Sequence, residues 1–99
     1  MRVRFFAGIK TITGCGEAEI PFEETAGDLA LSLADLYGEK MRQKIFTPGL
    51  APNGAAGTEA FNPEILFLIN GRHANHLGGL SAPLKPDDRV DILPTVGGG

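Results

Sequence analysis

Cysteine is almost missing from this chain: Cys15 stands alone, which excludes a disulfide framework. Tryptophan is absent. Long apolar runs are absent too. The longest is Ile65-Leu66-Phe67-Leu68-Ile69, far short of the roughly 20 residues that a membrane-spanning helix requires. Basic charge is scarce, with 9 Lys and Arg against 12 Asp and Glu and a formal net charge of −3. The basic residues are scattered from Arg2 to Arg89 rather than gathered in a stripe, which sets nucleic acid aside. The mild acidity favours a partner with a basic docking surface. The start, Met1-Arg2-Val3-Arg4-Phe5-Phe6, lacks an apolar stretch of signal-peptide length. Together with a free thiol this points to the cytoplasm.

What is present fits one small domain. The 99 residues, 42% of them hydrophobic, can bury about 60–65% of the unfolded surface and leave no room for a second core or a large cofactor pocket. Val3 and Phe5 alternate with Arg2, Arg4 and Phe6, the period of a strand with one buried face. Thr13-Gly14-Cys15-Gly16 reads as a break. Ala18, Ile20 and Phe22 then alternate with Glu17, Glu19 and Pro21. Pro21 places this strand at an edge or ends it. The two segments read as a hairpin with a long connection.

Thr25-Ala26-Gly27-Asp28 has the form of a helix start, with Asp28 at the capping-box position. Leu29, Leu33 and Leu36 supply an apolar stripe, and Gly38 is the stop. Glu39 to Phe46 is a second short helix carrying Met41 and Ile45. Residues 47–62 read as a mobile loop with little chemistry. Glu64 to Asn70 is a strand apolar on both faces. Asn70-Gly71 is a tight-turn dipeptide returning the chain through a short strand. Leu77, Leu80 and Leu84 anchor an irregular turn. Lys85-Pro86-Asp87-Asp88 turns into a last strand, with Val90 and Ile92 on one face and Asp91 and Leu93 on the other. The order predicts an α+β domain over 1–94, a mixed sheet with helices on one face and the other face open, followed by a flexible Gly-rich tail over 95–99.

The tail carries the only feature that invites chemistry. Gly97, Gly98 and Gly99 have no side chains to pack, and glycine permits close backbone approach within a narrow channel. A carboxylate at Gly99 is inert to acyl transfer until it receives a leaving group. The tail therefore reads either as a frayed terminus or as a substrate arm for another protein's active site. Cys15 has no His, Lys or Arg beside it in sequence to activate it. His73 and His76 with a distant cysteine make a poor zinc site, so no metal is expected. Asp87-Asp88 suits a turn, and Glu23-Glu24 suits the approach to a helix N-terminus. The sequence holds no nucleophile–base motif or phosphate-cradling loop, which points away from an autonomous enzyme.

Val3-Arg4-Phe5-Phe6-Ala7 with Thr13-Gly14, then Ile69-Asn70-Gly71-Arg72, then His76-Leu77-Gly78-Gly79-Leu80 through Pro83-Leu84-Lys85, and the close Asp88-x-Val90-x-Ile92-x-Pro94-x-Val96-x-Gly98-Gly99 resemble the MoaD/ThiS family. These are ubiquitin-like sulfur carriers of β-grasp fold, a mixed sheet on one main helix. The family often has proline where this chain has Thr95, and Gly-Asp where it has Asp87-Asp88. The resemblance implies that an E1-like activating enzyme spends ATP to adenylate the Gly99 carboxylate, next to Gly98. Sulfur then replaces AMP to leave a thiocarboxylate. It implies no cofactor bound to the chain itself. A sulfur-accepting enzyme, such as the large subunit of molybdopterin synthase, would take the sulfur. Cysteine or thiamin biosynthesis and attachment to target proteins are the alternatives. Ordering a five-residue tail costs roughly 5–10 kcal/mol, so the body must supply an anchor. The resemblance places Phe6 and Leu93 on the face used by partners and Lys10 at a commonly basic position nearby. Val96 and Gly97 would enter the partner with the tail. His73 falls near a further partner position where an apolar residue is usual.

Overall fold

The computed structural model describes residues 1–46 and 61–95. The elements in chain order are β1 (Arg2–Phe5), α1 (Ala7–Thr13), β2 (Glu17–Glu19), α2 (Ala26–Tyr37), α3 (Glu39–Ile45), β3 (Ile65–Ile69), β4 (Arg72–His73) and β5 (Arg89–Pro94). Two short 3-10 turns, Ala74–His76 and Gly79–Ser81, lie between β4 and β5. The strands form one sheet in the order β2-β1-β5-β3-β4. The first and last strands, β1 and β5, run parallel beside each other, and every other pair is antiparallel. This is the expected mixed α+β sheet of the β-grasp type.

One apolar layer holds it together. Val3, Phe5, Ile65, Phe67, Ile69, Val90 and Ile92 point from the sheet onto Ile9, Leu29, Ala30, Leu33, Met41 and Ile45 of the helices. Thr25 caps α2 as expected, its hydroxyl accepting the Asp28 N–H at 3.1 Å. Asn70 and Gly71 both take positive φ, 53° and 87°, the geometry of a two-residue hairpin turn that only a residue such as glycine adopts without strain. Asn70 also ties β3 to the last turn: its Oδ1 accepts the Arg89 N–H at 3.0 Å and its Nδ2 donates to Asp88 at 2.9 Å.

The structure corrects several expectations. The long connection between the first two strands is the helix α1, closed at Gly14, whose N–H donates to the Lys10 carbonyl at 2.8 Å. Its β-branched residues, Ile9, Thr11, Ile12 and Thr13, are poor helix formers, and the buried Ile9 and half-buried Ile12 stabilise it by docking on the core. Phe22 is exposed, because β2 ends at Glu19 and the alternation stops before it. Leu36 is 60% exposed. The buried face of α2 runs through Ala26, Leu29, Ala30 and Leu33 to Tyr37, which packs against the core and meets Phe5 edge-on. The expected 47–62 loop ends early: Phe61 and Asn62 are buried. Phe61 bridges to Phe46, while the Asn62 N–H donates to the Ile45 carbonyl at 2.7 Å. Residues 47–60 lie outside the described residues.

Candidate functional site

β5 delivers the C-terminal end of the chain. It is paired on both sides, with β1 through Ile92 and with β3 through Pro94. Thr95 follows, its N–H donating to the Glu64 carbonyl at 3.0 Å and its hydroxyl reaching the same oxygen at 3.4 Å. The chain is thus held to the sheet one residue further than the expected tail boundary. Val96, Gly97, Gly98 and Gly99 lie outside the described residues.

The strand registers organise the face of the sheet opposite the helices into rows. Next to Thr95 the row is apolar: Leu66 sits across from Leu93. Phe6 extends β1 beside them, its N–H donating to the Ile92 carbonyl at 3.1 Å. Phe6 is 38% exposed, and Ala7 directly after it takes φ of 49°, a conformation that stores about 1 kcal/mol or more in a non-glycine residue. The backbone turns there into α1, and the ring is left on the surface. The next row is Arg4, Asp91, Leu68 and His73. Glu17 ends that row on β2, opposite Arg4, and beyond it the face is charged, with Arg2, Arg89 and Glu19.

Electrostatics follow this gradient. Arg4 grips Asp91 through two hydrogen bonds, Nε to Oδ1 at 2.7 Å and Nη2 to Oδ2 at 3.2 Å. This carboxylate hydrogen-bonds and attracts the guanidinium, raising its pKa above the ordinary value. Arg2 lies 3.3 Å from Glu17. The N-terminal ammonium donates to Glu19 at 2.6 Å and to the Ile20 carbonyl at 2.9 Å, and that contact holds the Glu19 carboxyl below its usual range. His73 is pushed down, first by partial burial and then by its neighbour His76, whose ring lies 6.2 Å away. Its Nδ1 accepts the Asn75 N–H at 3.1 Å, which places the proton of the neutral ring on Nε2.

Of the expected partner residues, the structure brings Phe6 and Leu93 to one row at the base of the tail. Lys10 sits one turn into α1 with its side chain alongside Gly16, on the β2 side of that row. His73 closes the second row beside Leu68. Leu66 and Leu68 join this face although no partner role was expected of them; their signal was the strand reading as apolar on both sides. Cys15 is half-buried against the core near Tyr37. Tyr37 is pushed up, chiefly by burial and then by the neighbouring Cys15. A cleft of about 400 Å³ between α1, α3 and the start of β3 is lined by Ile12, Lys40, Gln43, Lys44, Asn62 and Glu64. Among the described residues no three His, Cys, Asp or Glu converge as metal ligands, and no helix is long and apolar enough to cross a membrane.

Comparison with known proteins agrees with this geometry. A candidate sulfur carrier protein of Archaeoglobus fulgidus is 28% identical over 85 residues, 85% of either chain. The solution structure of the small archaeal modifier protein 1 of Methanosarcina acetivorans superposes with a TM-score of 0.81 and 34% identity, covering 99% of this chain and 94% of that one. A candidate molybdopterin converting factor subunit 1 of Pyrococcus furiosus shares the fold at a TM-score of 0.66 and 23% identity, covering 94% of this chain and 93% of that one. The family model for ThiS matches residues 3–99, nearly the whole sequence. A ubiquitin-like sheet whose last strand runs out beside an apolar row, in a sequence closing on Gly98-Gly99, is therefore a member of the ThiS family.

Proposed function

We propose that this chain is a sulfur carrier whose Gly99 carboxylate is adenylated and converted to a thiocarboxylate by partner enzymes. The observation that supports it is the base of the tail: β5 is clamped up to Thr95, directly beside Phe6, Leu93 and Leu66. Four residues beyond Thr95 reach about 13–14 Å when extended. Ordering them costs roughly 4–8 kcal/mol, and an apolar anchor next to the exit offsets that cost for whichever enzyme receives the tail.

The chemistry divides cleanly between molecules. The Gly99 carboxylate attacks the α-phosphorus of ATP and pyrophosphate leaves. A sulfide-level sulfur then attacks the acyl carbon, and AMP leaves with the bonding pair. The ATP site belongs to the activating enzyme, and this chain contributes the acyl group and the docking surface without catalysing a step. Phe6, Leu93 and Leu66 anchor the activating enzyme, Lys10 borders that contact, and Val96 and Gly97 line the enzyme channel. Sulfur transfer to the enzyme that builds the molybdopterin dithiolene is the favoured destination. The family resemblance supports it, as does the name of the Pyrococcus furiosus fold relative.

Intact mass spectrometry after incubation with ATP, a sulfur source and the activating enzyme tests the reading. The expected product is heavier by the difference between a sulfur and an oxygen atom. A chain lacking Gly99 that still transfers sulfur refutes it. The likeness to a small archaeal modifier protein at 34% identity favours a second reading, attachment of Gly99 to lysines of other proteins. A Gly99-dependent ladder of larger species on an immunoblot would support that reading.

A further inference from the structure

We infer that Arg4 is a positioning and specificity residue of the docking face: held by Asp91, it fixes the Phe6 ring and presents its remaining donors to an acidic group of the activating enzyme. The inference rests on the docking reading above.

The first observation is the lock. The two hydrogen bonds from Arg4 form a fork across the parallel β1–β5 pair, and the Asp91 side chain is only 10% exposed. A planar fork is available to arginine and not to lysine. The second is the ring. The guanidinium carbon stands 5.5 Å from the Phe6 ring centroid, so a group that cannot swing holds the face of an otherwise exposed aromatic.

The third observation is charge. Nη1 of Arg4 makes no hydrogen bond among the described residues, and the side chain remains 40% exposed. Arg89 approaches Oδ2 of Asp91, which also accepts from Nη2 of Arg4, at 3.8 Å, so one carboxylate is shared by two guanidiniums. Glu17 stands opposite Arg4 across β1 and β2 and attracts it, but its ion pair, at 3.3 Å, is with Arg2. The Arg4–Asp91–Arg89 cluster is left with one positive charge in excess, next to the apolar row. The net charge of −3 favours a basic partner surface overall; at this face the local residues assign the opposite sign. The partner that fits sets an apolar side chain on Phe6, Leu93 and Leu66, with a carboxylate opposite Arg4.

The test measures ATP–pyrophosphate exchange by the activating enzyme with the full chain as substrate, over a range of salt. Arg4→Gln is expected to raise the KM for the chain about tenfold with kcat little changed, and to flatten its dependence on salt. Arg4→Lys keeps the charge without the fork. It should keep the salt dependence while failing to restore KM. A purely structural role would lower the thermal midpoint and leave the salt dependence unaltered. An Arg4→Gln chain with wild-type KM and salt dependence overturns the inference. If the wild-type chain supports no exchange, the sulfur-carrier reading fails instead. NMR of the free protein decides the lock independently: Asp91→Asn should shift and average the Phe6 ring signals, and unchanged signals overturn it.

Discussion

Phe61 and Phe67 stack with their ring centroids 4.6 Å apart and their planes 24° from parallel. Phe67 is central to β3 and Phe61 precedes that strand, so this contact joins the approach to β3 to the core. Phe61→Ala removes a side chain that is 3% exposed and leaves a cavity against Phe67. The expected loss is about 3–5 kcal/mol in urea unfolding. A loss below about 1 kcal/mol would show that neighbouring side chains collapse into the space.

Two glycines in helices should respond to alanine with opposite signs. A Cβ on Gly27 would stand 2.8 Å from the Leu80 carbonyl oxygen and 3.1 Å from Leu80 Cβ, whereas a Cβ on Gly8 meets nothing within 4 Å. Alanine gains at most about 1 kcal/mol in helix propensity at either site, each the second residue of its helix. At Gly27 overpacking against backbone costs about 1–3 kcal/mol and wins, because α2 must separate from the Gly79–Ser81 turn. We expect Gly8→Ala to raise the thermal midpoint and Gly27→Ala to lower it. Two increases would mean that the turn carrying Leu80 yields.

Stability should fall on the acid side through Glu19. Its ordinary pKa is 4.5 and the N-terminal ammonium lowers it in the folded chain. Between the folded value and 4.5 the unfolded chain binds more protons, so stability rises with pH there. The contribution is whole above 4.5 and lost as pH falls through the folded value. Glu19→Gln should flatten that part of the unfolding profile measured by denaturant titration between pH 5 and 2 (about the range in which carboxylates titrate).

His73 adds a second, separate step. Its pKa lies below the ordinary 6.5 because burial and His76 disfavour the charged ring. In that window the unfolded chain again binds more protons, so stability declines as pH drops below 6.5 and levels off beneath the folded value. Protonation also removes the acceptor for the Asn75 N–H. His73→Gln should erase this step, and a chemical-shift titration of the imidazole with a midpoint at or above 6.5 would refute the assignment.

Leu66 and Leu93 face each other across β3 and β5 on the side away from the core. Leu66→Asp and Leu93→Asp should fold cooperatively yet bind the activating enzyme roughly tenfold or more weakly. Phe6→Asp should behave alike, since its ring shares the row. Unchanged affinity in calorimetry for all three would remove this face from docking.

Period-two alternation made β1, β3 and β5 legible, and the Asn70-Gly71 dipeptide made the β3–β4 turn legible. A threonine cap and a spaced leucine pair did the same for α2. Helix α1 was hidden because its Ile and Thr residues favour strands locally, and the packing of Ile9 and Ile12 overrides that preference. Leu66 and Leu68 were visible as apolar on the second face, but their value as a surface depended on knowing that no helix covers that side.

Composition and local pattern alone determined the α+β class, the lack of a cysteine pair and the run of glycines at 97–99, since each rests on residue types and spacings within a few positions of one another. The Arg4–Asp91 fork, the row of Phe6, Leu93 and Leu66, and the clamp from Thr95 to Glu64 join residues 27 to 87 positions apart. The parallel pairing of β1 with β5 brings Arg4 and Phe6 to the last strand, and the antiparallel pairing of β3 with β5 brings Leu66 and Glu64 there, because register across a sheet is set by the packing of its buried face.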